Sequence, residues 1–129
     1  MKVAKYYLVL FALMALATGL AYIFIPLQMT APMEFGALTA PALADIRANY
    51  GGFQAGLGIF LLYCANTARI KLGLLAVLLI MTCVPLGRVY GFLVDGGATQ
   101  TLLGVLAMEV IFFVLTLVFY LRTPNDVAR

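Results

Sequence analysis

The sequence has no histidine, no tryptophan and only two cysteines. Without imidazole, histidine-ligated haem and the common zinc sites are not expected, and the chain is read as holding neither metal nor cofactor. Cys64 and Cys83 form no CxxC motif. They read as small apolar fillers rather than as a disulfide or redox couple. Charge is scarce too, with 8 basic and 5 acidic residues giving a net charge of +3. No basic stripe exists to grip nucleic acid, so the surplus reads as a topogenic signal. Catalysis would fall to Glu109, Asp95, Tyr50 or Tyr90 without an activated nucleophile, and Asp95 is better read as a turn residue. An enzyme is not expected.

What fills the chain instead is apolar: 65% of its residues are hydrophobic and the mean hydropathy is +1.10. Both values lie outside the range of soluble domains and point to an integral membrane protein. A hydrocarbon core about 30 Å thick needs roughly 20 apolar residues per helical crossing. A chain of 129 residues is therefore expected to form one all-α domain, a bundle of four transmembrane helices. The expected spans are residues 5–26, 41–66, 70–94 and 100–121, with an outer loop over 27–40.

Each span has its own punctuation. Tyr6 to Ile25 is closed by Pro26, and Lys2 and Lys5 precede it. That layout imitates a signal peptide, but with Met1 retained the run is expected to stay as an anchor. Tyr50 to Tyr63 is short and glycine-rich, and Pro41 suits a first helical turn. One helix from about Pro41 to Asn66 would be about 39 Å long, so it must tilt or reach into the outer interface. The third run, Lys71 to Leu93, contains Pro85 and ends at the turn Asp95-Gly96-Gly97. A bend is expected between Met81 and Pro85. The fourth, Thr101 to Leu121, is stopped by Arg122 and Pro124.

Lysine and arginine near span ends stay on the cytoplasmic side. Lys2, Lys5, Arg69, Lys71, Arg122 and Arg129 all fall on one side in this layout, so both termini are expected to be cytoplasmic. Tyr6, Tyr7, Tyr63 and Tyr120 then lie near the inner face, and Tyr22, Tyr50 and Tyr90 near the outer one. The 27–40 loop carries Met29, Pro32, Met33, Phe35, Gly36 and Leu38. It is expected either to lie on the outer interface or to fold over the helices as a lid.

Glu109 is the one charged residue within the apolar run Thr101 to Leu121. The run's Leu, Ile, Val and Phe residues supply roughly 4 to 8 kcal/mol of insertion free energy against an acidic cost of about 3 kcal/mol. The helix inserts regardless, but a lipid-facing carboxylate is costly, so Glu109 is expected to point inward and bond to Arg88 or Arg47. It lies about 12 Å inside Thr101, and Arg88 lies about 25 Å from Lys71. Both therefore fall in the outer half of the membrane. Arg47, Tyr50 and Gln54 are spaced by three and four and share a helix face. The expected polar cluster is Arg47, Asn49, Tyr50, Gln54, Arg88 and Glu109. Gly51, Gly52 and Gly56, with Gly87 and Gly91, are expected to let helices approach closely.

The stretch Arg47-Ala-Asn-Tyr-Gly-Gly, the pair Gly87-Arg88, the turn Asp95-Gly96 and Glu109 together resemble the pattern of domain of unknown function 4345. That family is similar in layout to the DoxX-like group of four-helix membrane proteins. The resemblance covers nearly the whole chain. It implies a bacterial inner-membrane location and a four-helix fold, and it implies no activity, substrate or cofactor.

Several functions fit these residues. The first is a lipid-embedded binding or accessory protein whose outer-leaflet cluster takes an anionic or amphipathic ligand. Its structural counterpart is a buried network that fixes helix register. The second is a proton-coupled transporter using Glu109, although the glutamate characteristic of four-span multidrug exporters lies in the first span, where this chain has none. The third is a subunit of a homo-oligomer or larger membrane complex. Membrane lipid is a partner in every case.

Overall fold

The computed structural model describes residues 2–126, and every element among them is helical. Arg129, counted above as a cytoplasmic charge, lies outside the described residues. Internal contacts divide the chain into two compact units, one ending at Ala68 and one beginning at Arg69. Three helices are long and apolar enough to cross a membrane: α1 (Lys2–Phe24), α5 (Ile70–Val94) and α6 (Gln100–Arg122).

In the first unit α1 ends where Pro26 removes a backbone donor. Ile25 leaves the helical region with φ −129° and ψ 52°, and a short helix α2 (Pro26–Thr30) starts with the proline in its first turn. A 3₁₀ turn over Ala31–Met33 follows, and the chain reverses through Glu34 and Gly36 at φ 56° and 73°. Thr39 then caps α3 (Ala40–Ile46), its hydroxyl accepting from the Ala42 amide. Helical backbone continues without a break from α3 through Arg47–Gly52 into α4 (Phe53–Asn66).

Arg47–Gly52 is a π-turn, in which the Phe53 amide bonds the Ala48 carbonyl five residues back. Such turns insert an extra residue and reset the phase of everything beyond them. Glycines at 51 and 52, weak formers of ordinary α-helix, sit in this widened turn. Against α1 the reset presents Gly51, Ala55 and Gly58, all buried. A Cβ on Gly19 would come within 2.5 Å of the Ala55 nitrogen, and one on Gly58 within 2.8 Å of the Ala12 carbonyl oxygen. Backbone-to-backbone approach of this kind supplies dispersion contacts that lipid cannot compete for. Close packing thus falls to Gly19, Gly51 and Gly58. Within its own unit, nothing but the Arg47 carbonyl at 3.9 Å meets a Cβ on Gly52, and nothing lies within 4 Å of one on Gly56.

In the second unit α5 and α6 pack on each other. Thr99 caps α6 by accepting from the Leu102 amide. The start of α5 has no local side-chain cap. Asp126 takes that place from far along the chain, its two oxygens accepting from the amides of Lys71 at 2.9 Å and Leu72 at 2.8 Å. A carboxylate at a helix N-terminus satisfies orphan donors and opposes the helix dipole. At the same end the Lys71 ammonium lies 5.0 Å from the centre of the Tyr120 ring, a cation–π distance. Within the helices Thr18, Thr82 and Thr116 donate their hydroxyl protons to the carbonyls of Met14, Leu78 and Phe112. That satisfies each hydroxyl without help from water.

Candidate functional site

Arg88 and Glu109 meet in the second unit. The Arg88 Nε donates to Glu109 Oε2 at 3.1 Å and its Nη2 to Oε1 at 2.6 Å, a two-pronged pairing of planar guanidinium and planar carboxylate. Of the two residues expected as the partner of Glu109, it is Arg88 that holds it. The glutamate is the better buried, with 10% of its side chain exposed against 22% for the arginine. The arginine is therefore the less buried partner of the pair.

Helix spacing explains what lies beside the pair. Pro85 is three residues before Arg88, and Phe113 is four after Glu109, so each shares a helix face with its charged neighbour. Pro85 is buried, and its ring leaves the Met81 carbonyl without the usual amide four residues on. α5 nevertheless runs on as one helix to Val94. Next to Pro85 an open groove of about 190 Å³ is lined by Met81, Thr82, Pro85, Leu86, Val110 and Phe113. The Thr82 hydroxyl is turned to Leu78, leaving an almost wholly apolar lining. Pro85 stands out in the sequence as a bend, but the groove does not, because its far wall belongs to another helix.

The other expected members of the cluster make different contacts. The Arg47 guanidinium donates to the Ile23 carbonyl, one of the last acceptors of α1, left over where the chain breaks at Ile25. Arg47 is thus engaged as a C-terminal cap on α1. Tyr50 packs at a tilt against Tyr22 with ring centres 5.4 Å apart, and Phe35 meets Tyr50 edge-on at 6.2 Å. The Tyr22 hydroxyl donates to the Met33 sulfur at 3.7 Å. The 27–40 segment is therefore folded onto the end of its own unit through Met33 and Phe35. Asn49 donates to Asp45 at 2.6 Å, and Gln54 is half-buried. Gly87 and Gly91 have nothing within 4 Å of an added Cβ in their own unit. Among the described residues no group of three His, Cys, Asp or Glu side chains is placed to hold a metal ion.

The family model described as a domain of unknown function, DUF4345, matches residues 3–120. The chain belongs to this family. The match takes in both the Arg88–Glu109 pair and the Arg47–Gly52 turn. No curated protein and no solved structure matches the chain.

Proposed function

We propose that this DUF4345 member is a four-span protein of the bacterial inner membrane that binds an anionic or amphipathic ligand at Arg88 and Glu109 in the outer leaflet. It acts as a binding or accessory protein and not as an enzyme. The fourth crossing is the continuous helix Ala40–Asn66, and the basic residues at the span ends favour cytoplasmic termini.

The observation that carries the reading is the two-pronged pair with the arginine its less buried member. A charge inside a membrane is expensive, and two-pronged pairing offsets that cost. Here the base is the less buried of the two, which suits an arginine that is held by one carboxylate and can meet another oxygen ligand. Both carboxylate oxygens of Glu109 already accept from Arg88, so proton exchange at Glu109 would require the pair to separate. That favours binding over proton-coupled transport.

Native mass spectrometry of protein extracted from its own membrane tests the proposal. A small molecule retained by the wild type and lost from Arg88→Gln/Glu109→Gln is expected. Retention of nothing, or equal retention by the folded double variant, would overturn it.

A further inference from the structure

We infer that Met33 is a reversible oxidation site, and that a hydroperoxide converting its thioether to the sulfoxide releases the 27–40 segment from the end of its own unit. The site belongs to the first unit and draws nothing from the Arg88–Glu109 pair. Of the described methionines, Met14, Met81 and Met108 stand in α1, α5 and α6, the helices long and apolar enough to cross a membrane. Met29 and Met33 stand instead in the connection that follows α1, and both are half-buried. Met33 is singled out by its contact, since its sulfur accepts from the Tyr22 hydroxyl at 3.7 Å and Tyr22 is only 3% exposed. A thioether that is partly open to solvent thus rests on a buried phenol.

The chemistry is a two-electron oxygen transfer. A sulfur lone pair attacks the terminal oxygen of the hydroperoxide, the S–O bond forms and the O–O bond breaks. The hydroxyl proton passes to the leaving oxygen, which departs as water or an alcohol. Reversal takes two thiols to a disulfide and releases the oxygen as water, the reaction of methionine sulfoxide reductases.

The structural effect follows from how the segment is fastened. Met33 reaches Tyr22, Phe35 reaches Tyr50, and the two tyrosine rings pack on each other. Both anchors therefore end on one aromatic pair. Oxidation turns the apolar sulfur into a strong S–O dipole, and a polar oxygen held against buried groups loses its water. The side chain turns outward to regain it. Between the two anchors Glu34 is held at φ 56°, a conformation that favours glycine, so the turn opens once one anchor is lost.

Wild-type protein in phosphatidylcholine nanodiscs, treated with hydrogen peroxide, tests the site. Peptide mass spectrometry should find Met33 oxidised roughly tenfold faster than Met14, Met81 and Met108. Hydrogen exchange should then quicken roughly tenfold at the amides of Ala31 and Glu34, which are bonded to the Leu27 and Ala31 carbonyls. Methionine sulfoxide reductase should restore the slow rate. Met33→Leu, apolar and without sulfur, should not respond to peroxide, and Met33→Gln, polar in the same place, should exchange fast without it. Oxidation of Met33 no faster than of the three helix methionines would overturn the assignment. So would a Met33 sulfoxide that leaves exchange unchanged, its oxygen simply taking over the Tyr22 hydroxyl. A response that persists in Met33→Leu and disappears in Met29→Leu would place the site at Met29 and overturn it equally.

Discussion

At the level of single residues the Arg88–Glu109 pair is the most consequential contact among the described residues. Removing one partner strands the other in a site of low polarity. Glu109→Gln or Arg88→Leu alone should therefore lower stability by on the order of 3 kcal/mol, read by thermal unfolding in detergent. The double variant Arg88→Gln/Glu109→Gln should recover most of that loss, since no lone charge remains. Equal destabilisation by single and double variants would show that the pair contributes attraction rather than mutual neutralisation. Asp126 offers a simpler case. Asp126→Ala should cost about 1 kcal/mol by uncapping α5, with Asp126→Asn losing less. That Glu109 would meet an arginine was legible in the sequence because a lone acid in an apolar run calls for a cation at matching depth, but Arg47 and Arg88 lie at overlapping depths and rise per residue could not choose between them. The Asp126 cap was not, because its donors lie 55 and 54 positions away and no spacing rule connects them.

At the level of helices the α1–α4 contact depends on which small residues the π-turn brings round. Glycine-to-alanine changes separate the faces. Gly19→Ala and Gly58→Ala put a Cβ against backbone atoms and should each cost about 1 to 3 kcal/mol. Gly56→Ala meets nothing within its unit and should be neutral or stabilise by up to about 1 kcal/mol through helix propensity. Thermal unfolding of the three variants checks the order, and a Gly56 variant as damaged as Gly58→Ala would place that face in a contact of its own. Residues 47 to 58 offer two small-residue stripes offset by one position, Gly51/Ala55 and Gly52/Gly56, and spacing alone cannot choose between them. The choice rests on a π-turn that periodicity does not reveal, and on Gly19 across the interface. By contrast, the start of α3 beside Pro41 and the end of α1 before Pro26 follow from the geometry of proline itself.

For the molecule as a whole, three helices are long and apolar enough to cross a membrane, and the charge distribution supports an orientation that can be measured. With Cys64 and Cys83 replaced by alanine, single cysteines introduced at Gly36 and Gly97 should react with an impermeant maleimide in intact cells. Cysteines introduced at Thr67 and Asn125 should react only after lysis, and the reverse pattern would invert the proposed topology and put Arg88 in the inner leaflet. Composition made the helical membrane class readable from the outset. The site was readable only to the extent that one helix poses a charge another must answer, and the groove beside it arises from two helices packed around a proline. Central to the proposed function is an Arg88 held by Glu109 that presents its guanidinium to a ligand. A structure of the wild-type protein in nanodiscs made from its native lipids tests this most directly. Density for an oxygen ligand is expected within about 3 Å of the Arg88 guanidinium. An Arg88–Glu109 pair covered by protein side chains, with no ligand density at the guanidinium, would contradict it.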